Sequence, residues 1–217
     1  SRFLEDSLGD QVIIQRYVGV GTGEDAERAM EIAIKNGAEV IFATTAPVIT
    51  ACRRVAARHP ETKILNCSVC MPYTDVRTYY SRIYEGKFLS GAIAGALSKS
   101  DTIGYIASYP IFGVPAGINA FALGVQLTNP EAKVQLKWSN VDGDPVGEMR
   151  EQGIDVVSTL DVPQKGWRDG QWGMFRIQDG DENEWLASPY WDWGAFYVQI
   201  ARTILSGEWD ASIFSKK

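Results

Sequence analysis

The chain has 217 residues, is 45% hydrophobic and carries a formal net charge of −6. That length accommodates one large domain or two lobes with separate cores, and an acidic chain with dispersed basic residues argues against a nucleic-acid binder, whose phosphate contacts need a basic face. No run of eighteen apolar residues is present to span a bilayer, and three cysteines do not make a disulfide framework.

The first residues, 1–9, read as the tail of a helix ending at Gly9. "QVIIQRYVGV" (11–20) has the β-branched content of a strand. Residues 23–37 read as a helix with acidic residues in its first turn and Gly37 as its stop. A strand over 38–45, a helix over 47–59 with Pro47 in its first turn, and a strand over 63–69 follow. The polar, tyrosine-rich segment 72–84 reads as a crossover. The rhythm then resumes: helix 85–99, strand 102–108, helix 117–127, strand 133–139, short helix 147–153, strands 154–160 and 173–179, and a final helix over 193–207. Roughly seven strands alternate with helices, which predicts parallel sheets covered on both faces. A doubly wound lobe normally opens on a strand, so the pattern predicts that a first strand lies outside this chain.

Several motifs reduce to structural roles. Gly19, Gly21 and Gly23 are two apart and lack the spacing of a dinucleotide-binding loop, so they read as a tight turn. Arg53 and Arg54 read as a solvated helix face. His59 is the single histidine, which starves a serine triad or a two-histidine zinc site; beside Pro60 it reads as a partner for terminal helix carbonyls. Cys67 and Cys70 have C-x-x-C spacing, yet Cys67 lies inside a strand and Pro72 follows, so neither thiol opens a helix. No second cysteine pair is present for zinc. Their value is positional, because ligand crevices form at the C-terminal ends of parallel strands. Trp167, Trp172, Trp185, Tyr190, Trp191 and Trp193 crowd the late sequence, and Trp167 and Trp172 sit in a polar loop suited to stacking on a planar ligand.

Residues 82–134, "RIYEGKFLSGAIAGALSKSDTIGYIASYPIFGVPAGINAFALGVQLTNPEAKV", resemble the middle of the Bmp family of ABC-transporter substrate-binding proteins, with Phe121, Gly124, Asn129 and Pro130 matching its Phe-x-x-Gly and Asn-Pro elements. "LASPYWDWGAFYVQIARTILSGEW" (186–209) resembles the late segment that returns to the first lobe. The resemblance implies a type I periplasmic-binding-protein fold: α/β, two Rossmann-like lobes with parallel sheets joined by a hinge, and a small molecule held between them. On that plan residues 1–72 plus 187–217 form the first lobe and 73–186 the second. Relatives in the family bind purine nucleosides or bases. Two departures stand out: Asn66, Cys67 and Ser68 occupy the strand end where nucleoside-binding relatives carry an Asp, and Pro189, Tyr190 and Trp191 follow Ser188 where relatives often carry a lysine. The missing first strand would also remove a ligand set.

The expected ligand contacts are Thr44, Thr45 and Ser68 from the first lobe, Tyr109, Trp138, Asp161 and Trp167 from the second, and Ser188 and Trp191 near the returning crossover. No catalytic residue, metal site or cofactor is expected. The expected partners are a purine nucleoside or base and an ABC-transporter permease, with no nucleic acid bound through this module. The expected location is the cell envelope, anchored through an N-terminal part outside this chain, with a cytoplasmic location as the alternative. Two rival functions are a ligand-sensing regulatory module and a nucleoside-processing enzyme on the same scaffold.

Overall fold

The computed structural model describes residues 2–68, 73–108, 113–160, 172–178 and 183–209. They divide into two compact units, one comprising the residues up to 81 together with those from 192 onward, the other residues 82–191.

The first unit opens with helix α1 (Arg2–Leu8) and a 3₁₀ turn, Gly9–Gln11. Residues 12–20 do not form the expected strand. Ile13 and Val18 are 93% and 89% exposed. The segment's contacts run through side chains instead, with Gln15 Nε2 donating to the Asn36 carbonyl and Arg16 pairing with Glu5. A β-branched pattern needs a neighbouring ladder to become a strand, and none of the described strands lies beside it. Only Val12 and Ile14 find apolar cover, against the cluster of Leu4, Leu8 and Val198.

Helix α2 (Glu24–Lys35) buries Ala26, Met30 and Ala33. Strand β1 (Val40–Ala43), a 3₁₀ turn (Ala46–Val48), helix α3 (Ile49–Arg58) and strand β2 (Lys63–Cys67) follow. Residues 72–84, expected to be a crossover, contain strand β3 (Val76–Tyr79), which pairs in parallel with β2. The sheet order is β1-β2-β3, all parallel. Alternation along β2 covers both faces: Ile64 packs with Met30, Cys52 and Val55, whereas Leu65 packs with Tyr79 and Ile200. Ile200 belongs to the last helix, α7 (Trp193–Leu205), whose Trp193, Phe196 and Tyr197 rings contact Tyr79. Trp193 is therefore core. Trp185, against Phe175 in the second unit, is core too. On the outer surface Glu27 pairs with Arg54 and Arg58, and Glu31 with Arg58 and His59. His59 thus serves a carboxylate rather than helix carbonyls.

The second unit runs α4 (Ile83–Leu97), β4 (Thr102–Ala107), α5 (Val114–Thr128), β5 (Lys133–Trp138), α6 (Pro145–Glu151), β6 (Val156–Ser158), β7 (Met174–Arg176) and β8 (Glu184–Ala187). The strand order is β5-β4-β6-β7-β8. β5, β4 and β6 are parallel, and β7 and β8 extend the sheet antiparallel, a detail that the alternation rule does not reach. Helices α4 and α5 cover one face around Ala94, Phe121 and Val125, and α6 covers the other through Met149. Asp144 caps α6 by accepting from the Gly147 N–H at 2.9 Å.

Helices α4 and α5 approach backbone to backbone. A methyl group on Gly91 would strike the Phe121 carbonyl, and one on Gly124 would strike the Phe88 carbonyl. Gly124→Ala gains helix propensity but forces the helices apart. Overpacking of this kind costs about 1–3 kcal/mol against a gain of roughly 1, so thermal unfolding followed by circular dichroism should show a lowered midpoint.

Asp155 ties the end of α4 to the start of β6, accepting from Ser98 Oγ at 2.6 Å, the Lys99 N–H at 2.8 Å and Ser100 Oγ at 3.0 Å. Burial raises its pKa, but these donors outweigh it and hold the carboxyl below its ordinary value. A depressed folded pKa contributes stability that is present above the unfolded value and lost as pH falls through the folded one. Asp155→Asn should therefore lower the unfolding midpoint at neutral pH, with the gap to wild type narrowing as pH falls below the ordinary aspartate value of about 4.

Candidate functional site

Parallel register gathers the C-terminal strand ends of each unit into a rim. In the first unit Ala43 pairs with Asn66 and Cys67 with Tyr79. Thr44 and Thr45, both exposed, follow β1, and buried Ser68 follows β2. The Ser68 N–H donates to the Tyr79 carbonyl at 3.0 Å. Asn66 is fully buried; its Nδ2 donates to the Thr45 carbonyl at 2.9 Å and the Ala43 carbonyl at 3.3 Å, while its Oδ1 has no hydrogen-bond partner among the described residues. One amide thereby pins the turn that carries Thr44 and Thr45.

In the second unit Ala107 pairs with Trp138, Tyr105 with Ser158, Ser158 with Met174 and Met174 with Ala187. The rim therefore holds Trp138 at the end of β5, Ser158 and Thr159 at β6, Trp172 and Gly173 before β7, and Ser188 after β8. Trp138 is half-buried against the core that includes Phe121. Ser188 Oγ donates to the Trp172 carbonyl. Thr159 donates to the Gly173 carbonyl twice, from its N–H at 2.8 Å and its hydroxyl at 2.7 Å. Lys87, only 3% exposed, reaches this rim from α4 and donates from Nζ to Ser158 Oγ and the Thr159 carbonyl, both at 3.1 Å.

The structure thus places Thr44, Thr45 and Ser68 on adjacent strand ends. It does not bring Trp138 and Ser188 together: they stand at opposite edges of the five-stranded sheet, about 19 Å apart at roughly 4.8 Å per strand step. Trp191 is half-buried and is the last residue of the second unit. Tyr109, Asp161 and Trp167 lie outside the described residues, as does Cys70. Cys67 is half-buried in β2 and burial pushes its thiol pKa up; Cys52, fully buried, is pushed up to about 12. Neither favours thiolate chemistry. Among the described residues no group of His, Cys, Asp and Glu could hold a metal ion, and no helix is long and apolar enough to cross a membrane. An open groove of about 540 Å³ runs along α1 and α7, lined by Phe3, Val198 and Arg202 among others. It lies on helix flanks, away from the strand ends where α/β folds concentrate ligand contacts.

Sequence reasoning placed Asn66 at a strand end bordering a ligand crevice but missed Lys87 as a rim residue. The signal for Lys87 was present: in "GKFLSGAIAGAL" it is the one charge, on the same helical stripe as Ser90, Gly91, Ala94 and Gly95. For Asn66 strand position gave the place, but not its full burial or its hold on the Ala43 and Thr45 carbonyls.

Residues 4–157 match the Bmp family, ABC transporter substrate-binding protein PnrA-like. The chain is 30% identical to a purine-binding protein of Brucella abortus over 95% of this chain and 63% of that protein. It is 32% identical to a protein of Haloferax volcanii named as an ABC transporter glucose-binding protein, over 91% of this chain and 54% of that protein. The chain therefore spans between half and two thirds of the length of these curated relatives. Among solved structures, a solute-binding protein of an ABC transporter system from Conexibacter woesei superposes with a TM-score of 0.67 at 16% identity, covering 97% of this chain and 76% of that one. A transcriptional activator of the comK gene from Bacillus halodurans superposes with a TM-score of 0.54 at 16% identity, over 64% of this chain and 50% of that one. Both likenesses show the fold, which agrees with the periplasmic-binding-protein architecture.

The Asn66 geometry generates a test. Asn66→Ala removes two hydrogen bonds to carbonyls and should cost about 1–3 kcal/mol at any pH. Asn66→Asp points a buried carboxylate at the same carbonyls, and burial raises the pKa of such a group. Its penalty is therefore small below the unfolded carboxylate pKa and grows as pH rises toward the folded value, to about 3–5 kcal/mol. Urea unfolding at pH 4 and pH 8 should show the Asp variant losing stability between the two and the Ala variant holding constant relative to wild type.

Proposed function

Because the chain belongs to the Bmp family of PnrA-like ABC transporter substrate-binding proteins, we propose that it acts as the solute receptor of an ABC importer, and that its solute is a purine nucleoside or free base. The observation that carries the solute class is the 30% identity, across 95% of the chain, to a protein named for purine binding. The chemistry of the rims supports it. Half-buried Trp138 offers a flat face for a planar ring, and the hydroxyls of Thr44, Thr45 and Ser68 and the carbonyls beside them offer hydrogen bonds without a formal charge. Binding leaves the solute intact: family members are solute-binding proteins, and half-buried Cys67, whose thiol pKa burial pushes up, is a poor nucleophile. The partners are then a small-molecule solute and a transporter permease, and the place of work is the cell envelope.

A sugar solute is the second reading, favoured by the 32% identity to the protein named for glucose binding. Titration calorimetry with adenine, hypoxanthine, adenosine, inosine and glucose separates the two. We expect at least one purine to bind with a Kd of about 1 μM or tighter, equivalent to roughly −8 kcal/mol, and glucose to give no heat. Glucose binding with silent purines would overturn the purine assignment. Chromatography of the nucleosides after prolonged incubation should return them unchanged, and released free base would overturn the receptor role.

A further inference from the structure

We propose that Lys87 is a positioning residue that holds the ligand rim of the second unit in shape. A lysine side chain is rarely taken out of water unless its ammonium has specific partners. Lys87 sits on the buried stripe of α4, and its stem runs beside Gly117 of α5, where even a methyl group would make only ordinary contact with Lys87 Cγ. The ammonium ends over the Tyr105 ring, 5.1 Å from its centre. From there it donates to Ser158 Oγ and to the Thr159 carbonyl.

Those two contacts are the first links of a polar chain that crosses the rim. Thr159 donates twice to the Gly173 carbonyl, and the Gly173 N–H donates back to the Leu160 carbonyl at 3.2 Å. Gly173 has φ +88, and a methyl group there would meet the Ala187 carbonyl at 2.7 Å, so this crossing is tight and admits glycine alone. Ser188 closes the chain on the Trp172 carbonyl. The charge on α4 thus sets where β6 ends, where β7 begins and where Ser188 points. Hydrogen bonds to a charged donor are stronger than neutral ones and hold direction in a buried setting. Lys87 therefore acts on the solute through Thr159, Gly173 and Ser188.

The binding arm of this inference rests on the receptor reading; the structural arm does not. Lys87→Met keeps the stem and removes the charge, and Ser158→Ala removes one acceptor and keeps the charge. Both are compared with wild type by amide hydrogen exchange and by calorimetry with the purine panel. Expected for Lys87→Met is faster exchange at the Thr159 and Gly173 amides, unchanged protection in β4 and β5, and purine affinity weakened about tenfold or more. The Ser158→Ala and Lys87→Met effects on affinity should be less than additive in the double variant, because they act through one contact. Faster exchange with unchanged affinity overturns the positioning role, and so does unchanged exchange at Thr159 and Gly173. If Lys87→Met does not fold, Ser158→Ala decides on the same two readouts. If wild type binds no purine, the receptor reading fails on its own, and the exchange result alone upholds or overturns Lys87 as the residue that shapes this rim.

Discussion

Parallel pairing in register is the constraint on which both units depend. Because Ala43 lies beside Asn66, Cys67 beside Tyr79, and Ala107 beside Trp138, strand ends and the turns that follow them collect at one end of each sheet. Backbone polar groups beyond a ladder have lost their regular partners and must find others. The two rims are built from such groups. The opposite ends are closed off by ordinary structural devices, of which the Asp155 cluster with Ser98 and Ser100 is the clearest.

The two rims are stiffened in different ways. In the first unit a neutral amide, Asn66, holds the Thr45 turn from beneath and leaves one acceptor without a partner among the described residues. In the second unit a charged side chain, Lys87, enters from a helix and anchors β6. Both devices are polar groups inside apolar surroundings, where hydrogen bonds are strong and loss of a partner is costly. In the first unit Thr44 and Thr45 are exposed, and the Thr45 carbonyl is held by Asn66.

Much of the fold was legible in the chain. The stripe Ala26, Met30, Ala33 and the stops at Gly37 and Gly207 marked α2 and α7, and the Gly/Ala-rich stretches marked α4 and α5 before their packing was known. The sequence reading failed where a partner decides the outcome. Residues 12–20 have strand composition but no adjacent ladder among the described strands, and Val76–Tyr79 has tyrosines and an arginine yet becomes a strand because β2 lies beside it. The late aromatics show the same division: the sequence crowds Trp185 and Trp193 together without saying what they touch, and packing against Phe175 and Tyr79 makes them core.

Local pattern by itself determined the α/β alternation and the family to which the chain belongs, since both are carried by residue types at short spacings. Tertiary structure alone decided which strand ends share a rim, that Trp138 and Ser188 stand at opposite edges of one sheet, and that Lys87 and Asn66 are interior. The physical reason is that register, burial and hydrogen-bond partners are relations between residues far apart in the chain. Lys87 and Ser158 are 71 positions apart, and no local window contains both.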